Sequence, residues 1–304
     1  MTAIRFRLRS RRALGLALVL AAVTGGVALA QTDATPPPVG NYGGGAIAVP
    51  VSERTVARDM LLSVRAQAGG RVGVNGTMFA SCGLGLIKGD TRLAADGSFT
   101  LRGSTTRRPL VGVAETATFT VRGRLTADGG EGTASLRLRV RASGNPTRTC
   151  ASRTVNWTVR RPIATGAAPA PARAGTTLLG LTSQSAPRSR HAIALRVSAS
   201  GRTIERATLG FRAPCADGRL VAPHDVNVSP EFDIAEDGSF RFVERFRTTF
   251  PDVIQRTTVV VRGQFDEAGG ATGASAVTQR YQNRRTGKRV DICASGTRTW
   301  SARP

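Results

Sequence analysis

The sequence has little of what enzymes commonly use for chemistry. Histidine, tyrosine, tryptophan and lysine occur twice each, and aromatic residues make up only 5% of the chain. His191 and His224 are therefore the only side chains of the commonest general-base type. No phosphate-binding glycine loop, dinucleotide fingerprint or G-x-S-x-G motif occurs. These absences predict that the protein is not an enzyme and has no cofactor and no metal site.

Long apolar segments are also missing, except at the N-terminus. There, five arginines precede an apolar run over residues 13–23, and Ala28 and Ala30 provide the small residues of a cleavage site. This pattern predicts a signal peptide over 1–30. A retained membrane anchor is the alternative, but the run is short for a span. Arg11 and Arg12 partly fit a twin-arginine signal, although the general secretory route is favoured. We expect a secreted or cell-envelope protein with no membrane span after cleavage.

Acidic residues are scarce relative to basic ones. The chain has 43 Lys and Arg against 20 Asp and Glu, a net charge of +23, and Lys88 and Lys288 are its only lysines. A GC-rich genome would explain arginine in place of lysine, but it does not explain the twofold excess of bases. Attraction to a polyanion, such as an acidic envelope polymer or an anionic surface, is the functional interpretation. Specific nucleic-acid binding is not expected, because the aromatic residues that stack on single strands are too few.

Two Pro/Gly/Ala-rich segments, 31–45 and 162–175, predict linkers. They precede two similar regions, 46–161 and 176–304. The matching features occur in the same order: Cys82 and Cys215, Asp96-Gly97-Ser98-Phe99 and Asp237-Gly238-Ser239-Phe240, Val121-Arg122-Gly123 and Val261-Arg262-Gly263, Cys150-Ala151-Ser152 and Cys293-Ala294-Ser295, and Trp157 and Trp300. We predict a tandem duplication. We also predict that proteolysis in the second linker releases two folded fragments.

Strands and turns dominate the pattern within each region. Apolar and polar residues alternate over 117–125 and 134–141, and the Asp-Gly pairs are typical of tight turns. Trp157 and Trp300 are the natural core residues of the last strands. The fold class is therefore all-β, with two tandem β-sandwich domains that are immunoglobulin-like or related. One detail conflicts: Cys150 and Trp157 are seven residues apart, an odd separation that places them on opposite faces of one regular strand. A bulge, or a cysteine that precedes the strand, would resolve the conflict.

Four cysteines in an exported chain predict disulfides. Three pairings are possible, and the duplication selects Cys82–Cys150 and Cys215–Cys293. Zinc is the rival interpretation, but no CxxC pair occurs.

Together, the cysteines, the DGSF turn, the VRG strand with its Gly-Gly turn and the near-terminal tryptophan resemble secreted β-domain proteins of high-GC actinobacteria. The role of those proteins is uncertain. The resemblance covers nearly the whole chain after the leader. It implies export and a disulfide-closed sandwich, and it implies no catalytic residue.

The candidate binding site is a set of arginines on the polar faces of two neighbouring strands: Arg122, Arg124, Arg137, Arg139 and Arg141. If the strands form a hairpin, we expect arginines opposite arginines, a repulsion that a bound anion would offset. A solvated face with splayed side chains is the other interpretation. Acids before the second DGSF turn, such as Glu231 and Asp233, are a weaker candidate for calcium.

We therefore expect a secreted, non-enzymatic β-sandwich protein that associates with anionic envelope or extracellular material. A glycan-binding or inhibitor module and a carboxylate-dependent hydrolase remain alternatives.

Overall fold

A computed structural model describes residues 39–47, 59–110, 113–162, 166–186, 189–218, 220–228, 231–250 and 252–304. The predicted signal peptide and most of the first linker lie outside these residues. The described residues form strands and turns that build two antiparallel sheets, so the all-β prediction is confirmed. Among them, no helix has the length and hydropathy needed to cross a membrane.

The first half of the chain forms a sheet with the strand order β4-β3-β2-β1-β9-β7-β6-β5, and β8 adds to β7. Sequential strands mostly pair with each other, and the last strand closes the sheet beside the first. The strands are β1 Gly40–Ala46, β2 Met60–Ala66, β3 Arg71–Ala80, β4 Gly83–Arg92, β5 Ser98–Leu110, β6 Val113–Leu125, β7 Gly129–Ala142, β8 Arg148–Ala151 and β9 Val155–Arg160.

The second half repeats this order as β13-β12-β11-β10-β19-β17-β16-β15, with β14 beside β12 and β18 beside β17. Its strands are β10 Thr177–Ala186, β11 Ser189–Val197, β12 Thr203–Pro214, β13 Leu220–Val228, β14 Phe232–Asp233, β15 Ser239–Thr249, β16 Val253–Phe265, β17 Ala271–Asn283, β18 Arg289–Ala294 and β19 Arg298–Arg303. Apart from the short strand β14, each strand has a counterpart in the first half.

Each sheet folds back on itself, so its inner face becomes a core. In the first half β4 meets β5 through side chains: the Thr91 hydroxyl donates to the Thr100 carbonyl at 2.8 Å, and an Arg107 guanidinium NH donates to the Leu84 carbonyl at 2.9 Å. Trp157 and Trp300 are 1% and 3% exposed, which confirms them as core residues. Because period-2 alternation sends every second side chain inward, the predicted apolar sets of β6 and β7 are the buried ones.

Both Asp-Gly pairs form the predicted turns. Gly97 and Gly238 each have a φ of 81°, a conformation that favours glycine. The Asp96 carboxylate accepts a bond from the Ser98 NH at 2.9 Å, and Asp237 accepts one from the Ser239 NH at 2.8 Å. These backbone donors lower the pKa of both carboxyl groups.

The disulfides join Cys82 to Cys150 and Cys215 to Cys293, as the duplication predicts. The conflict between Cys150 and Trp157 is resolved because they occupy different strands. Cys150 lies in β8 and Trp157 in β9, and residues 152–154 separate the two. Both residues therefore face the same core.

The first predicted linker is too long at its C-terminal end. Residues 40–46 form β1, which pairs with both β2 and β9. Its glycines misled the prediction, since they serve close packing and not flexibility. A Cβ atom on Gly43 would lie 2.1 Å from the Gly180 carbonyl oxygen of the second half. In the second linker, the described residues 166–174 are irregular, as expected, but they bond to the second half: the Ala170 NH donates to the Phe265 carbonyl at 3.1 Å.

The two halves pack against each other, so the described residues of both belong to one compact unit. Leu61 of the first half clusters with Leu179, Ala192 and Ala194 of the second. Arg206 and Asp59 form a buried ion pair across the same boundary. The prediction of two fragments that separate after cleavage therefore conflicts with the structure, because linker composition carries no information about apolar contacts between the halves.

Candidate anion-binding faces

The five predicted arginines lie on the outer face of the first half, and all five are exposed. They form two groups. Arg122 and Arg124 lie near the β6–β7 turn, whereas Arg137, Arg139 and Arg141 follow one another along β7. Arg122 lies opposite Thr133, so about four residues of strand, roughly 13 Å, separate it from Arg137 along β7. We call these five residues the arginine patch.

The expectation that arginines of β6 face arginines of β7 is wrong. In the observed register Arg137 lies opposite Thr118, Arg139 opposite Thr116 and Arg124 opposite Glu131. This register buries both apolar sets, as required, but the short turn between Leu125 and Gly129 offsets the two arginine groups along the strands. Cross-strand repulsion therefore does not arise between the patch residues of β6 and β7.

The nearest acids contribute little to neutralising the patch. Glu115 faces inward, where it pairs with Arg107 and both side chains are about 15% exposed. Asp128 pairs with Arg303 of the second half at 3.7 Å. Within the part of the chain that the structure describes, acids lie beside Arg124 and no other patch residue: Glu131 lies opposite it, and Asp96, whose backbone carbonyl accepts a bond from the Arg124 Nε at 2.7 Å, lies next to it.

The equivalent outer face of the second half also carries arginines. On β15, β16 and β17 six arginines point outward and are exposed, and we call them the arginine track: Arg241, Arg245, Arg247, Arg256, Arg262 and Arg280. Here arginines do lie opposite arginines. Arg247, Arg256 and Arg280 form one row across three neighbouring strands, and Arg241 lies opposite Arg262. Each such like-charge pair costs about 0.2–1 kcal/mol.

A groove of about 760 Å³ lies at one end of the track. Arg241 and Arg262 line it together with Ser239, Gln264 and Thr272, and Asp233 is the acid at its edge. In the first half the position of Thr272 is taken by Glu131, because Glu131 pairs with Arg124 as Thr272 pairs with Gln264. In the first half Glu131 lies opposite Arg124 of the patch, whereas the second half has the uncharged Thr272 at the equivalent position.

The sequence interpretation missed the track. It matched the second repeat to the first by shared residues and found only Arg262 as a counterpart of a patch residue, whereas the strand register also makes Arg280 the equivalent of Arg139. The signal was nevertheless present, because Phe240 and Phe242 alternate with Arg241 and Arg245 as apolar and basic residues alternate in β7. A basic loop, residues 284–289 with Arg284, Arg285, Lys288 and Arg289, is exposed and follows β17 directly after the row that contains Arg280.

Polar side chains enter the core at one end of the second half. Gln279 lies opposite Cys293 and next to Thr257, whereas the equivalent residues of the first half are Leu138 and Ala117. Glu244 also faces inward on β15, and burial raises the pKa of its carboxyl group. His191 on β11 is 3% exposed, and burial together with the charge of Arg212 lowers its pKa to about 4. For His224 only the backbone is described, opposite Phe211.

Metal ligands do not assemble convincingly among the described residues. Cys215, Asp291 and Cys293 are close together, but both sulfur atoms belong to a disulfide and are not available as thiolates. Of the acids considered for calcium, Glu231 is exposed and accepts a bond from the Thr203 hydroxyl at 3.4 Å. It behaves as a surface loop residue.

The chain matches no family model, no curated protein and no solved structure.

Proposed function

We propose that the protein is exported and associates electrostatically with anionic material of the cell envelope or extracellular space, without catalysing a reaction. The observation that carries this proposal is the exposure of all five arginines of the patch on one outer face, where the described residues place acids beside Arg124 alone. Exposed guanidinium groups bind phosphate, sulfate and carboxylate oxygens, and a concentrated positive field attracts polyanions.

Two further features support export and duplication. Disulfides persist in oxidising compartments, and each half has one in the equivalent position. The matching strand order of the halves supports the tandem repeat. The signal peptide itself remains a prediction from residues 1–30, and so does the similarity to secreted actinobacterial β-domain proteins.

The alternative functions have less support. Glycan-binding sites usually present exposed aromatic rings, but Tyr42 is fully buried and Tyr281 packs against the core. Hydrolases that cleave glycosides use a pair of carboxylates, whereas the described lining of the groove includes one acid, Asp233.

The test is chromatography of the exported protein on a heparin-like sulfated matrix. The double variant Arg137→Ser/Arg139→Ser should elute at lower salt than the parent, because two exposed charges are lost and the remaining attraction is screened sooner. Arg190→Ser/Arg202→Ser removes the same charge from exposed sites outside both arginine faces and is the matched control. Equal elution of the patch variant and the parent would reduce the patch to a solvated surface.

A further inference from the structure

We propose that the arginine track of the second half is a binding site for a linear phosphate polymer. The proposal rests on the proposed function in one respect, since both require that the protein binds a polyanion. It differs in the site, which is the outer face of β15–β17, and in the ligand, which is an extended chain of phosphate groups.

The dimensions of the track suit an extended chain. Neighbouring strands lie about 4.8 Å apart, so the row Arg247–Arg256–Arg280 spans about 10 Å across the sheet. Six residues of strand separate Arg241 from Arg247, a length of about 20 Å. Arg245 lies between these ends on the same face of β15. The charges therefore form a narrow strip that leads from the groove to the row beside the basic loop.

The charges of the track are not neutralised by the protein. Among the described residues, none of the six arginines forms an ion pair with an acid, and the one side-chain bond is from Arg256 Nε to Gln282 Oε1 at 3.3 Å. The outward residues of β15, β16 and β17 include no Asp or Glu, because Glu244 faces inward. Like charges on neighbouring strands repel, so an anion that lies between them relieves the repulsion and gains affinity from it.

The chemistry of the face favours phosphate groups on a chain without stacked bases. Arginine binds phosphate through two parallel N–H bonds, a geometry that lysine does not offer. No outward residue of the three strands is aromatic, and the exposed Phe246 of β15 alternates with Arg245 and Arg247 and so points to the opposite face. A single-stranded nucleic acid would therefore find no ring on this face on which to stack its bases. A lipid surface is less suited, because Val243 is the one exposed large apolar side chain that the described strands present on this face.

The experiment measures binding of inorganic polyphosphate to the full exported protein at several salt concentrations. The triple variant Arg247→Ser/Arg256→Ser/Arg280→Ser should bind about tenfold or more weakly and show a shallower salt dependence, because fewer counterions are released. The matched control, Arg153→Ser/Arg190→Ser/Arg202→Ser, removes the same charge from exposed sites outside the track and patch. It should bind within about threefold of the parent. Thermal unfolding of each variant verifies that the fold is retained.

The possible outcomes separate this inference from the proposed function. Equal losses in the two triple variants would mean that net charge alone governs binding, and the track would fail as a site. If Arg137→Ser/Arg139→Ser weakens binding but the track variant does not, the inference fails and the proposed function stands. A parent that binds neither polyphosphate nor the sulfated matrix refutes both. Tighter binding to oligothymidylate, or to phosphatidylglycerol vesicles, than to polyphosphate at equal phosphate concentration would overturn the ligand assignment.

Discussion

Arg206 and Asp59 form an ion pair across the boundary between the two halves, and each side chain is only 1% exposed. Arg206 lies on β12, and Asp59 immediately precedes β2, so the pair links the second sheet to the first. Burial lowers the pKa of Arg206, because desolvation penalises its charged form. The pair restricts the two halves to one relative register, since any sliding would leave a charge buried without its counterion.

Arg206→Met should destabilise the protein by about 3–5 kcal/mol, because Asp59 would stay buried after losing this ion pair. The measurement is the free energy of unfolding from urea titration. The double variant Asp59→Leu/Arg206→Met should lose less, because no lone charge remains. Arg71→Ser is the matched control, since Arg71 is 61% exposed in its pair with Asp90 and its loss should cost less than about 1 kcal/mol. A small effect of Arg206→Met would show that water reaches the boundary.

Cleavage in the second linker should leave the two halves associated. Residues 166–174 are irregular and largely exposed, so a protease can cut there. The cluster of Leu61, Leu179, Ala192 and Ala194 and the buried ion pair then still hold the halves together. We expect two fragments on a denaturing gel but one species in native size-exclusion chromatography. Separate elution of the fragments would restore the picture of independent domains that linker composition alone suggests.

Much of the fold was predictable because its signals are local. Alternation identifies the buried sides of β6 and β7, and the two Asp-Gly turns recur at matching places. The disulfide pairing followed from the repeat. What local patterns could not predict depends on contacts between distant segments: the docking of the halves, and the recruitment of residues 40–46 as a central strand. Composition alone predicts that the run Gly43-Gly44-Gly45 is flexible, because the residues that pack against it lie far away in the sequence.

The arginine faces were predictable only in part. Alternation alone shows that Arg137 and Arg139 point outward, and the structure agrees. Which arginines are neighbours depends on strand register, which is set by turn length and packing. Register separates Arg122 from Arg137 in the first half and brings Arg247, Arg256 and Arg280 into one row in the second.

The stability of the protein should fall as the pH decreases from about 6.5 to 4. The pKa of His191 is about 4 in the folded protein against 6.5 unfolded, so within this window only the unfolded chain binds the proton. Integrated over the window, the free energy of unfolding falls by on the order of 3 kcal/mol. His191→Gln should remove this dependence, as measured by urea titration at each pH.

Three carboxyl groups also contribute to the pH dependence of stability. Glu244, whose pKa is raised, favours the folded state as the pH falls, in the opposite sense to His191. Asp96 and Asp237, whose pKa values are lowered, reduce stability below about pH 3.8. An unchanged pH profile in His191→Gln would assign the acid sensitivity to other groups.

The row Arg247–Arg256–Arg280 should make the protein less stable at low salt than it would be with a neutral central residue. Arg256 lies directly opposite an arginine on each side, so Arg256→Thr removes two like-charge pairs at once. The expected gain is about 1 kcal/mol in the free energy of unfolding, because each pair costs a fraction of that amount. Threonine also suits an exposed strand position.

The matched control is Arg137→Thr, which should give no comparable gain. Its cross-strand neighbours are the uncharged Thr118 and Ala151. At about 1 M salt the difference between the variants should shrink, since the Debye length falls to about 3 Å. Equal effects of both substitutions at every salt concentration would show that strand propensity, and not repulsion within the row, accounts for the change.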